Sequence, residues 1–141
     1  GSDDYRDFDI IFSAHGIPKK IVAAGDVYEK HVTKHVAILT KMLKDEKMDF
    51  HNFHLAYQSK VGPLEWLSPS LEEKLKTVRN RGIVIVPVAF TIDNSETDFE
   101  LEIEYREIAE ELGFKDYRVC RCPNDSDLFV DALVEIYKKM K

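Results

Sequence analysis

Four short apolar runs recur along the chain: FDIIFSA (8–14), FHLAYQS (53–59), GIVIVPVAF (82–90) and YRVCRC (117–122). They are rich in β-branched and aromatic residues, and Gly, Pro or Asp bounds most of them, so each predicts a strand. The second and third hold near-continuous apolar stretches, as strands covered on both faces do. Between them the period changes to three and four residues. Residues 24–47 place Val27, Val32, His35, Val36, Leu39 and Leu43 on one helical stripe. A helix over 69–79 is predicted after Ser68 as N-cap, with Pro69 at the first helical position and Glu72 near capping-box spacing. A third helix runs from Ser95 to Leu112 and stops at Gly113. A last one covers 126–140, with Leu128, Phe129, Leu133, Ile136 and Tyr137 apolar.

The order βαβαβαβα predicts an α/β fold: one four-stranded parallel sheet with helices on both faces, a three-layer sandwich. By analogy with flavodoxin-like sheets the expected strand order is 2-1-3-4. Ligands then bind beyond the carboxyl ends of the strands, at the switch point between strands 1 and 3. Residues 3–141 read as one domain without repeat or linker, and Gly1-Ser2 reads as a cloning scar.

Composition narrows the function. Hydrophobic residues make up 44% and charged residues 33% of 141, a globular balance. The net charge of −6 makes nucleic acid an unsuitable partner. No apolar run reaches the length of a membrane span. Cys120 and Cys122 are one residue apart, are expected on one face of a strand, and match neither CxxC chemistry nor a closed zinc site. Reduced structural thiols suggest a cytoplasmic chain.

The acids are not evenly spread. Glu96, Asp98, Glu100, Glu102, Glu104, Glu107, Glu110 and Glu111 crowd one helix. Glu96, Glu100 and Glu104 form an i,i+4 series that costs a few tenths of a kcal/mol per pair. Strand 1 ends in SAHGIP and so delivers His15 to the switch point. Strand 3 leads through VAFTIDNSE and delivers Glu96 opposite it. An imidazole facing a carboxylate suits a borderline divalent metal or proton transfer. The plainer alternatives are a turn-capping histidine and an acid serving the helix dipole. Glu100 and Glu104 continue from Glu96 and suit relay of a cation; Glu102, Glu110 and Glu111 read as a solvated face. Tyr57, Trp66 and Leu67 are candidate walls for a flat apolar ligand. His31 and His35, four apart on a helix, are a competing metal pair.

FSAHGIP, YQSKVGPLEWLSP and VPVAFTIDNSETDFELEIEYRE resemble, in this order, three blocks of the ferrochelatases, most closely the bacterial type. The resemblance implies a chelatase-like fold and insertion of Fe2+, as substrate metal, into protoporphyrin IX to give protoheme. It implies catalytic roles for His15 and Glu96, metal contacts for His15, Glu96, Glu100 and Glu104, and substrate contacts for Tyr57, Gln58, Ser59 and Trp66. It also implies π-type widening of the acidic helix. The chain departs from many members at Asn94, where they carry His, and at Asp26-Val27-Tyr28, where they carry Asp-Pro-Tyr. Its two cysteines do not reproduce the iron–sulfur pattern of some members, so no cluster is expected. The family has two similar domains and the HGIP block opens the second. The chain is therefore expected to be the carboxy-terminal half, weak or inactive without the missing N-terminal domain. Peripheral membrane contact of the parent enzyme stays open. The rival readings are a sirohydrochlorin-type cobalt or iron chelatase acting as a single-domain dimer, and a non-catalytic metal- or heme-binding module.

Overall fold

In the computed structural model, which describes residues 4–80 and 82–141, four parallel strands form one sheet in the order β2-β1-β3-β4. They are β1 Phe8–His15, β2 Asn52–Gln58, β3 Gly82–Pro87 and β4 Asp116–Val119. The expected cloning scar lies outside the described residues. β1 is central: Ile10 pairs with Phe53 on one side and Val84 on the other. Seven of its eight residues are buried, which explains why its sequence barely alternates.

Alternation separates the two faces. Ile10, Phe12 and Ala14 point to one layer and pack with Val32, Val36 and Leu39. These belong to α2 (Tyr28–Asp45), which follows a short α1 (Lys19–Ala23). Ile11, Ile83, Ile85 and Tyr117 point the other way. They meet Leu71 and Leu75 of α3 (Leu71–Thr77), Leu101 of a π-helix (Ser95–Glu104) and Ala109 of α4 (Tyr105–Glu111). Each fully buried side chain of this size contributes about 1.5–3 kcal/mol. Such layers fix the carboxyl edge of the sheet as a rigid platform.

Local chemistry moves several expected boundaries. The helix expected over 24–47 begins only at Tyr28, and the short α1 ends ahead of the expected span. Gly25, at φ +106°, breaks the turn, and the Asp26 carboxylate accepts from the Tyr28 N–H that opens α2. His35 faces solvent rather than the core. α3 is capped by Ser70, not Ser68: its hydroxyl accepts from Glu73 N and the Glu73 carboxylate accepts from Ser70 N. Pro69 is left in the loop, where its carbonyl accepts from Tyr57 N. β3 stops at Pro87 rather than at 90, since Ala89 turns the chain at φ +63°. β4 stops at Val119. Cys120 and Cys122 therefore share no strand face: the first is exposed and the second buried. Finally, α5 (Asp127–Met140), although amphipathic as expected, has no buried residue.

Candidate active site at the carboxyl end of the sheet

β1 and β3 present their ends side by side, and the chain leaves each by a different device. After β1, Gly16 donates from its N–H to the Gln58 carbonyl at 2.8 Å. A Cβ at Gly16 would lie 3.0 Å from Trp66 Cε3 and 3.1 Å from that carbonyl, so the bend needs glycine for space. After β3 the chain reaches Asn94, which caps the π-helix. Its side-chain oxygen accepts from Glu96 N at 2.8 Å, and Thr97 Oγ1 accepts from Asn94 N at 2.9 Å. The asparagine that stands in place of a second imidazole thus fixes the backbone of Glu96.

His15 and Glu96 meet: Nε2 lies 3.2 Å from Oε1, with both side chains about two-fifths exposed. The other ring nitrogen, Nδ1, lies 2.6 Å from the Gly16 carbonyl. A carbonyl only accepts, so Nδ1 carries the proton and donates. In the neutral ring Nε2 is then an acceptor facing a carboxylate, another acceptor. That pair is completed by a proton, or by a cation. A metal about 2.1 Å from each would subtend about 100° between them, an ordinary angle for adjacent ligands. Tyr28 on α2 steadies this corner by donating its hydroxyl proton to the His15 carbonyl at 2.8 Å.

Behind the pair lies a polar knot that the sequence does not announce. Gln58 is 1% exposed. Its Oε1 accepts from Ser13 Oγ at 2.7 Å, and its Nε2 donates to the Glu96 carbonyl at 2.8 Å and toward Glu100 Oε2 at 3.2 Å. Ser59, at φ +66°, donates to the Glu100 carboxylate from N at 2.7 Å and from Oγ at 2.6 Å. A side chain that engages a helical carbonyl from outside is a recognised cause of departure from α spacing. Here the departure lasts ten residues, and Tyr105 N bonds to Glu100 O five residues back.

The acidic series is therefore not uniform. Glu96 faces His15, Glu100 is tied to the end of β2, and Glu104 is exposed. Burial first, then the charges of Glu100, Glu72 and Glu104, push Tyr105 up to about 12, so the latter three carboxylates share one neighbourhood. Glu102 pairs with Arg106 at 2.6 Å, and Glu110 and Glu111 are exposed. Among the described residues no three His, Cys, Asp or Glu side chains form a metal-holding group. The three acids and the imidazole expected to contact metal therefore form no compact cluster.

Of the expected walls, Trp66 lies beside His15, its ring centroid 6.4 Å away and its plane tilted 39°. Its indole N–H is buried without a hydrogen-bond partner. Tyr57 does not line the crevice. It is 4% exposed in the core beneath α2, and burial, then the Glu29 charge, push its hydroxyl up to about 12. Leu67 is buried in the same cluster. Asp93, just before the cap, is a structural clamp. Its carboxylate accepts from Cys122 N at 2.9 Å, Asn124 Nδ2 at 2.7 Å and Arg121 Nε at 3.1 Å. These bonds hold it well below the usual carboxylate range. The resemblance had named Gln58 and Ser59 as substrate contacts, whereas their ties to Glu96 and Glu100, and the bond from Tyr28 to His15, had no signal in the sequence.

The family model described as Ferrochelatase matches residues 2–141. A protein of Sulfurimonas denitrificans named Ferrochelatase is 63% identical over 99% of this chain and 44% of its own length. Ferrochelatases of a Nitratiruptor species and of Helicobacter pylori strain J99 are 51% and 47% identical, with 44% and 41% of their lengths covered. The chain thus spans less than half the length of these relatives. Among solved structures, a putative cobalamin (vitamin B12) biosynthesis CbiX protein from Marinobacter aquaeolei superposes with a TM-score of 0.54. It covers 94% of this chain at 15% identity, which is a likeness of fold.

Proposed function

We propose, from the premise that this chain belongs to the ferrochelatase family, that it is the carboxy-terminal, catalytic half of an enzyme that inserts Fe2+ into protoporphyrin IX. The observation that carries the reading is the 3.2 Å approach of His15 Nε2 to Glu96 Oε1, with Nδ1 already committed to Gly16. Metal insertion releases two pyrrole protons and strips a hydrated cation of water. His15 Nε2 accepts the two pyrrole N–H protons one after the other, and Glu96 beside it passes each toward solvent before the next is taken. The same pair gives an arriving Fe2+ two donors before the ring nitrogens replace them. Glu100 holds the geometry through Ser59 and Gln58, and Glu104 attracts cations from solvent. The face of Trp66 forms one wall of the macrocycle site, with Ser59 at its edge. The other wall comes from the amino-terminal half. Among the described residues no helix is long and apolar enough to cross a membrane.

The test is reconstitution. The chain is mixed with the remaining part of the Sulfurimonas denitrificans relative, produced separately, and insertion of Fe2+ or Zn2+ into protoporphyrin is followed by fluorescence. Turnover that disappears in Glu96→Gln is expected. Preference for Co2+ and sirohydrochlorin, or porphyrin binding with no turnover, would overturn the reading.

A further inference from the structure

We infer that the segment Gly25-Asp26-Val27-Tyr28 sets the tautomer of His15, with Tyr28 as a positioning residue that keeps Nε2 free of its proton. The inference deepens the proposed function and rests on its assignment of His15 as the base.

A neutral histidine in water carries its proton mostly on Nε2. His15 is drawn the other way, because Nδ1 lies 2.6 Å from the Gly16 carbonyl and donates to it. That carbonyl hangs on a glycine, whose backbone is the least restrained of any residue, so its direction has to be fixed from outside. The peptide unit between His15 and Gly16 is held at both ends. Its carbonyl accepts from the Tyr28 hydroxyl at 2.8 Å, and its N–H donates to the Gln58 carbonyl at 2.8 Å. Beyond Gly16, the Ile17 carbonyl accepts from Leu67 N at 3.0 Å. The unit between Gly16 and Ile17 could still flip by itself. A flip would carry Ile17, β-branched and followed by Pro18, out of the extended region.

Of these anchors, only the Tyr28 hydroxyl is a side chain. It arrives from another layer of the fold, and its arrival depends on where α2 begins. Gly25, at φ +106°, ends the turn after α1, and Asp26 Oδ1 accepts from Tyr28 N at 2.7 Å. The first residue of α2 is thereby set at a fixed height over the end of β1, and the half-buried ring reaches His15. Loss of the hydroxyl leaves the His15 carbonyl end of its peptide unit loose. The Gly16 carbonyl then moves off Nδ1, and the ring reverts toward the tautomer preferred in water. Nε2 in that tautomer is a donor and accepts nothing from a pyrrole.

The tautomer is read in the chain alone, without metal or porphyrin, from long-range 1H–15N spectra of the histidine rings at a pH where they are neutral. Wild type should show Nδ1 protonated and Nε2 bare at His15. Tyr28→Phe removes only the hydroxyl and should shift the tautomer ratio about two- to tenfold toward Nε2, the range of one hydrogen bond. Asp26→Ala, which frees the start of α2, should shift it in the same direction. Asp26→Asn, whose amide oxygen still accepts from Tyr28 N, should keep the wild-type pattern. A purely structural role would lower Tm and leave the ring signals in place. In the reconstituted enzyme kcat should fall with the share of rings that gain a proton on Nε2, about twofold for an even mixture, with KM for porphyrin unchanged. A proton on Nε2 in wild type, or wild-type ring signals in folded Tyr28→Phe, would overturn the inference. The expected tautomer without metal insertion would sink the proposed function and leave the device standing.

Discussion

The buried amide of Gln58 donates to the backbone carbonyl of Glu96 at 2.8 Å, so the end of β2 holds the residue that faces His15 across β1. Replacing Gln58 by Leu leaves Ser13 Oγ and the Glu100 carboxylate short of a partner each. An unsatisfied buried polar group costs about 1–3 kcal/mol. A fall in Tm of several degrees is expected, together with reduced turnover in the reconstituted enzyme. Gln58→Glu should be worse, because it sets a second carboxylate beside Glu100. Unchanged Tm in both variants would show that the knot contributes nothing.

Titration of the chain with Co2+ or Zn2+ should perturb the ring signals of His15 before those of His31, His35, His51 and His54. Chelator should reverse the change. Glu96→Gln should weaken the response at His15 and leave His31 and His35, both exposed on α2, as they were. First response from that helical pair would move the metal site elsewhere.

Glu100 and Glu104 should behave differently when changed to Gln. Glu104 is exposed, so its loss should raise the metal concentration needed for half-maximal insertion and be recovered at saturating Fe2+. Glu100 accepts three hydrogen bonds, two of them from Ser59. Its neutral variant should also lower Tm, by an amount set by charge-assisted bonds of about 1.5–3 kcal/mol. Identical kinetics and identical Tm for the two would mean that neither position matters beyond surface charge.

At the opposite end of the sheet Asp9, 1% exposed, accepts from His54 Nε2 at 2.7 Å, His51 Nδ1 at 3.0 Å and Asn52 Nδ2 at 3.2 Å. Burial raises its pKa, but these bonds and one from Asn80 outweigh burial and leave it below the ordinary 3.8. An unfolded Asp9 therefore binds its proton at higher pH than the folded one. The stabilisation is present above 3.8 and is lost as pH falls through the lower folded value. Denaturant midpoints should drop over that range in wild type and less steeply in Asp9→Asn. Equal slopes would remove Asp9 from acid unfolding.

The strand order, the convergence of His15 with Glu96 and the solvated character of Glu110 and Glu111 were all legible in the sequence, whereas Glu102 is half-buried and paired with Arg106. Apolar runs, chain direction and charge are enough for those. Other features depend on partners far away in sequence. Gln58 and Ser59 take Glu100, which regular helical spacing had treated as equivalent to Glu104. Tyr57 looked like a crevice wall because it sits at a strand end, yet alternation turns it into the core. Ser70 replaced Ser68 as cap because its hydroxyl, three residues before Glu73, could complete a reciprocal pair. The exposure of α5 has no local signature: its pattern states that a face will be covered and not by what.

The ten-residue π-helix makes the site sensitive to chain length. Deleting one residue between Ser95 and Glu104 would let the segment relax toward α geometry. Each residue of an α-helix advances by about 100°. Positions before the deletion would turn by about that angle relative to Tyr105 and α4, and Glu96 would swing away from His15. The length of this segment is thus constrained separately from its side chains, because loss of a single position would move Glu96 whatever residue was lost.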